Sequence, residues 1–254
     1  MRLGLVQYCP VWEDKKANKE KILSLLKDES NDFDLLIFPE MTLTGFTMRS
    51  NKFAEKLKGE SYKFFKSIAR DFNVNVIAGI IEKPKKKKIY NTLIHVSPRG
   101  KLVGSYRKIH PFSYSNEDKH YNKGSRQVIT KINDWKIGLS ICYDLRFPEL
   151  YRYYAKKKVH LIINIANWPH TRIDHWHTLL KARAIENQCY FAGVNRVGDS
   201  PKQHYNGMSG IFDPLGRTVE IVENEERVIY AEIEKSEVDD VRKKLPFLDD
   251  IRLI

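Results

Sequence analysis

Apolar residues fall in short blocks separated by polar stretches along the whole chain. Residues 3–6, 34–38, 74–81, 90–96, 159–165 and 190–195 are brief, nearly continuous apolar runs rich in Val, Ile and Leu. Such runs predict strands, that at 34–38 a buried one. Four longer stretches carry a helical period instead. Residues 15–27 place Ile22, Leu23, Leu25 and Leu26 on one side, and residues 52–72 do the same with Phe53, Leu57, Phe64, Phe65 and Ile68. Residues 148–157 open with Pro148, which suits a first helical turn. Residues 174–188 begin with Asp174, a residue type suited to an N-cap. Pro98-Arg99-Gly100 and Asn133-Asp134 mark turns. They predict strands at 101–106, 127–131 and 136–141. Residues 207–212, 218–222 and 228–233 complete the strand set.

Helices and strands interleave without a linker or repeat. The pattern predicts one domain over residues 1–254, an α/β or α+β fold of two packed sheets with helices outside. From about residue 236 the tail keeps Leu245, Phe247, Leu248, Ile251, Leu253 and Ile254. It is expected to dock on the body or on a second subunit.

Composition narrows the classes. Hydrophobic residues make up 42% and charged residues 30%, which excludes disorder. The longest apolar stretch, residues 159–166, is far short of the ~20 residues that span a bilayer. No signal peptide is evident at the N-terminus, so a soluble, cytoplasmic protein without a membrane partner is expected. Cys9, Cys142 and Cys189 show no metal-binding or disulfide spacing. The net charge of +12 raises the question of nucleic acid. Its one dense run, Lys83-Pro84-Lys85-Lys86-Lys87-Lys88, lies between two strand patterns and reads as a solvated hairpin turn, so no nucleic-acid partner is expected.

Candidate chemistry gathers where apolar runs stop. Cys142 follows the strand pattern KIGLSI and precedes a helix start. Helix N–H groups there would lower a thiol pKa and bind an oxyanion. Cys9 and Cys189 lack that setting and read as core packing. Glu40 closes Leu35-Leu36-Ile37-Phe38-Pro39, where partial desolvation makes a carboxylate a better base. Lys108 follows another strand and supplies a fixed positive charge. Glu117, in a polar loop, reads by itself as a surface acid that could hold Lys108. In the cluster His170, His175 and His177, the two at i, i+2 point to different helix faces and poorly share one metal ion, so no metal or other cofactor is expected.

Three segments carry a resemblance. LLIFPEMTLTGF, YRKIHPF and GLSICYDLRFPELYR resemble, in this order, the signature blocks of the nitrilase superfamily of carbon–nitrogen hydrolases. Glu40, Lys108 and Cys142 are spaced by 68 and 34 residues, as that pattern requires. ANWP, KARAIENQ, GVNRVG and HYNGMSGIFDPLG extend the likeness over nearly the whole chain, closest to the bacterial omega-amidase branch. The segment Ser113-Tyr114-Ser115-Asn116 departs from the acidic, proline-bearing form of many relatives.

The resemblance implies a four-layer α-β-β-α sandwich that pairs as a homodimer or higher homo-oligomer. It implies Cys142 as nucleophile, Glu40 as general base, Lys108 as oxyanion stabiliser, Glu117 as the acid positioning Lys108, and the Tyr143 N–H as a second oxyanion donor. The implied reaction is hydrolysis of a small 2-oxo acid amide, 2-oxoglutaramate or 2-oxosuccinamate, through a thioester. Such a substrate needs a clamp for its anionic end. Arg146, Arg172 and His175 are the candidates, with Phe46 and Trp168 as apolar walls; singly, each arginine also reads as a surface ion pair. The alternatives are deaminated-glutathione amidase or N-carbamoyl hydrolase within the family, and a basic, non-catalytic binding protein outside it.

Overall fold

The computed structural model describes residues 1–27, 29, 32–85 and 88–253. In chain order the elements begin with β1 (Arg2–Gln7), α1 (Lys15–Lys27), β2 (Leu35–Ile37), α2 (Ser50–Phe53), α3 (Glu60–Asp71), β3 (Asn75–Lys85), β4 (Lys88–Val96) and β5 (Leu102–Arg107). Then come α4 (Glu117–His120), β6 (Ile129–Ile132), β7 (Trp135–Ile141), α5 (Pro148–Lys156), β8 (Leu161–Ala166), α6 (Ile173–Asn187) and β9 (Tyr190–Asn195). The chain finishes with β10 (Val197–Asp199), β11 (His204–Phe212), β12 (Thr218–Glu223), β13 (Arg227–Glu232) and α7 (Lys235–Lys244).

The strands form two sheets. One has six strands in the order β13-β1-β2-β3-β4-β5; the other has seven, ordered β10-β11-β9-β8-β7-β6 with β12 beside β11. Strand periodicity sorts the residues into layers. Leu3, Leu5, Leu35, Ile37, Ile77 and Leu93 join Ile137, Leu139, Ile163 and Ile165 in the central core. Their neighbours Leu36, Phe38, Val76, Ala78, Ile94 and Val96 pack instead with Ile22 and Leu26 of α1 and Phe65 and Ile68 of α3. Leu150, Tyr151 and Tyr154 of α5 and Trp176, Leu180 and Ala184 of α6 join the central core from the opposite side. The result is the expected four-layer α-β-β-α sandwich. Each sheet is covered on both faces, which is why its strands read as continuous apolar runs.

Several expectations need correction. The helix foreseen over 52–72 is two helices, α2 and α3, with the break ending at Gly59. A Cβ on Gly59 would lie 2.3 Å from Glu55 Oε2, and the polar stretch Glu55–Lys58 does not continue a buried face. Leu57 is only partly buried, and Leu23 is 47% exposed because α1 is buried through Asn18, Ile22 and Leu26. Lys83-Pro84 lies within β3 rather than in a turn, whereas Lys86 and Lys87 fall outside the described residues. Asp174 is inside the first turn of α6, and Arg172 occupies the cap position without a capping hydrogen bond. The short strand β10, absent from the apolar pattern, pairs Val197 with Asn206 across a hairpin. Cys9 is only partly buried, whereas Cys189 is in the core.

The first part of the tail makes contacts with the body. Val238 and Val241 are buried, Gln188 Nε2 donates to Leu245 O at 2.7 Å, and Arg242 Nη2 donates to Val159 O at 2.6 Å. Beyond it, Phe247 is 62% and Leu253 98% exposed, and Ile254 lies outside the described residues.

Candidate active site

β2, β7 and β8 lie in parallel runs, and each delivers a polar residue just past its C-terminal end. Those residues are Glu40, Cys142 and Asn167. The C-terminal edge of parallel strands is where open α/β sheets place their ligands. Lys108 follows the end of β5, and Glu117 opens α4. Burial there needs satisfied polar groups, because an unpaired buried charge is costly.

The buried ammonium and both carboxylates are partnered. Lys108, 1% exposed, donates from Nζ to Glu40 Oε1 and to Glu117 Oε2, both at 2.8 Å. Asn91 Nδ2 donates to Glu40 Oε1 at 2.6 Å and to Glu117 Oε1 at 2.9 Å. The Phe112 N–H donates to Glu117 Oε2 at 2.6 Å. The Asn167 N–H donates to Glu40 Oε2 at 2.9 Å, and Asn167 Nδ2 donates to Glu40 O at 2.7 Å. Glu117 is therefore a buried acid that holds Lys108, not the surface acid its loop setting suggests.

Cys142 sits at φ 47°, in the left-handed region that side chains rarely occupy. It begins a 3₁₀ segment, Cys142–Arg146, rather than the α-helix itself, which starts at Pro148. Asp144 pins this turn. Its carboxylate accepts from the Ile141 N–H at 3.0 Å, the His110 N–H at 3.0 Å and the Tyr106 hydroxyl at 2.7 Å. The strained conformation is held by a buried acid that ties it to the other sheet.

Electrostatics corrects one expectation. Burial pushes the Cys142 thiol well above its ordinary range, and Glu40 adds to this. Lys108 and the Asn167 N–H pull it down without overcoming burial. The resting sulfur is thus a thiol, not the helix-stabilised thiolate expected from position alone. Burial also opposes the charge on Lys108, but attraction to Glu117 and Glu40 outweighs it and holds Lys108 firmly protonated. Glu117 is raised, mainly by burial, with Glu40 contributing and Lys108 opposing.

A cleft of about 50 Å³ opens on Cys142. Phe46, Tyr143, Arg146, Trp168 and Arg172 are among the residues that line it. Among the described residues neither arginine has a carboxylate within ion-pair distance, so the surface-pair reading of each fails. Arg146 instead lies 4.8 Å over Trp168 and Arg172 5.5 Å over Phe112. His175 does not reach the cleft; its Nδ1 meets Arg146 Nη2 at 3.1 Å. No group of three His, Cys, Asp or Glu side chains among the described residues is placed to hold a metal ion.

Sequence patterns gave no role to Asn91, Asp144 and Phe112, nor to Gln203 and Tyr205, which also line the cleft. Asn91 left one signal, a polar side chain inside the apolar run IYNTLIHV. Phe112, Asp144 and Tyr205 lie inside the family-like blocks but had no role read for them, and Gln203 left no signal, because their places depend on loops meeting across the two sheets.

The comparisons agree with this geometry. Residues 2–243 match the carbon-nitrogen hydrolase family model. A 2-oxoglutaramate amidase of Bacillus subtilis is 34% identical over 98% of this chain and 97% of its own. The omega-amidase YafV of Escherichia coli is 33% identical over 98% of this chain and 96% of its own. A solved CN-hydrolase superfamily protein of Xanthomonas campestris, with an arsenic adduct in its active site, superposes with a TM-score of 0.95 at 31% identity, over 100% of this chain and 98% of that one. With matching family blocks, a matching sandwich and full-length relatives, the chain belongs to the carbon–nitrogen hydrolase family, within the nitrilase superfamily.

Proposed function

We propose that the protein hydrolyses the terminal amide of a small 2-oxo acid amide, 2-oxoglutaramate or 2-oxosuccinamate, and releases ammonia. One observation carries the choice of substrate: Arg146 and Arg172 line the Cys142 cleft with no acid partner among the described residues. Two such guanidinium groups favour a ligand whose far end is a carboxylate. The small cleft favours a short acyl chain, and the relatives named as 2-oxoglutaramate amidase and omega-amidase support the same reading.

In this reading Cys142 attacks the amide carbon while Glu40 takes its proton. Because the resting sulfur is a thiol, proton transfer accompanies attack. Lys108 Nζ and the Tyr143 N–H stabilise the oxyanion, and Glu117 keeps Lys108 charged and aimed. Glu40 returns the proton to the leaving ammonia. It then activates a water that opens the thioester and frees the acid. Phe46 and Trp168 form apolar walls, and His175 steadies Arg146 from outside the cleft. The chain acts as one domain, in the cytoplasm and as a homodimer. Ile185, Phe247 and Leu253 are exposed apolar residues that support a contact with a second copy. Light scattering with Phe247→Glu tests that contact.

The test of substrate is ammonia release from 2-oxoglutaramate compared with its methyl ester, which lacks the anionic end. The reading expects the acid to be at least about tenfold better in kcat/KM, the worth of a charge-assisted hydrogen bond. Equal rates would defeat it.

A further inference from the structure

We propose that Asn91 is a positioning residue that keeps both carboxylates of the site ionised and aimed as acceptors. This rests on the proposed roles of Glu40 and Glu117. Two buried carboxylates share one ammonium, so the group Glu40, Glu117 and Lys108 carries an excess negative charge. A buried pair in that state takes up a proton unless further donors hold the charge.

Asn91 is placed to prevent that uptake. Its carboxamide is fully buried on β4 and spends both N–H bonds on the pair, one on Glu40 Oε1 and one on Glu117 Oε1. Among the described residues its own Oδ1 has no hydrogen-bond partner. That orphan fixes the amide's orientation, since the flipped amide would press its oxygen against two carboxylates. An unsatisfied buried acceptor is retained here because the same group serves two anions. Both oxygens of Glu40 are engaged, Oε1 by Lys108 and Asn91 and Oε2 by the Asn167 N–H at 2.9 Å and Asn167 Nδ2 at 3.3 Å. Among the described residues the ionisable groups near the cluster include Cys142, whose thiol senses Glu40, Lys108 and Glu117, Tyr121, which senses Glu117, Glu40 and Lys108, and Tyr205, which senses Cys142 and Glu40. Burial keeps both phenols protonated, so neither replaces the lost donor.

The experiment is a carbon-13 titration of Glu carboxyls in the folded, substrate-free protein, with Glu40→Gln and Glu117→Gln assigning the two signals. It is paired with a pH profile of kcat/KM for an amide. In Asn91→Ala the carboxyl midpoints and the acid limb of the profile both move up by about one unit, a tenfold loss of rate below the limb. Asn91→Asp has the same shape but adds a charge, and should move them further. Midpoints unchanged in both variants, or a rate loss equal at every pH, would overturn the proposal. The titration needs no substrate. A wild type inactive on every amide would therefore sink the functional reading and leave the claim about Asn91 to be decided by the carboxyl midpoints.

Discussion

At the scale of single residues the site is an exercise in burying charge. Lys108 and its two carboxylates form a closed set, and removing one member leaves an unpaired buried ion. Replacing Lys108 with Ala should therefore cost about 3–5 kcal/mol as well as activity, measured by urea denaturation. Cys142 is governed by the same burial. Its labelling by iodoacetamide should be slow at neutral pH and still rising at pH 9, because the thiol is pushed up. A labelling rate that levels off below pH 8 would show a resting thiolate instead. Arg146 and Arg172 are the residues that set substrate charge in this account. Either one changed to Met should raise KM for the anionic substrate about tenfold or more while changing kcat less.

At the scale of elements, the close approach of backbones decides where the catalytic groups stand. β3 lies against the turn that carries Glu40. The Thr42 N–H donates to Gly79 O at 3.0 Å, and the Gly79 N–H donates to Thr42 Oγ1 at 3.1 Å. A Cβ on Gly79 would fall 2.4 Å from Met41 N and 2.9 Å from the backbone of Glu40. Backbone cannot rotate aside as a side chain can. Gly79→Ala should thus displace Glu40, lower kcat at least about tenfold and cost about 1–3 kcal/mol. Steady-state kinetics and thermal denaturation of one preparation check both. The element pattern was legible in advance where burial is two-sided, as in Leu35-Leu36-Ile37-Phe38. It failed between α2 and α3, where apolar residues at helical spacing continue past a backbone break. Glu40 and Cys142 were legible as candidates because each follows a buried run, and Lys108 because it directly follows the half-buried strand β5. Asp144 and Asn91 were not, since their partners lie in other strands and loops, out of reach of local spacing.

At the scale of the molecule, the sandwich hides polar groups whose ionisation couples to folding. His95 shares the central face of β4 with Leu93 and is fully buried. Burial lowers it from 6.5 to about 4. A depressed folded value means the unfolded chain binds the extra proton between those limits. Stability is then fully present above pH 6.5 and is lost as pH falls towards 4. The loss by pH 5 should be about 2 kcal/mol from His95 alone. His160, also lowered by burial, acts in the same direction. Denaturation at pH 7 and pH 5 measures the slope, and His95→Gln should flatten it. The central claim, however, is chemical: Cys142 carries the acyl group. Rapid quenching of the enzyme with 2-oxoglutaramate, followed by intact and peptide mass analysis, tests it most directly. The account predicts a transient 2-oxoglutaryl adduct on the peptide bearing Cys142, absent from Cys142→Ala together with ammonia release. Ammonia released at the normal rate by Cys142→Ala would contradict it.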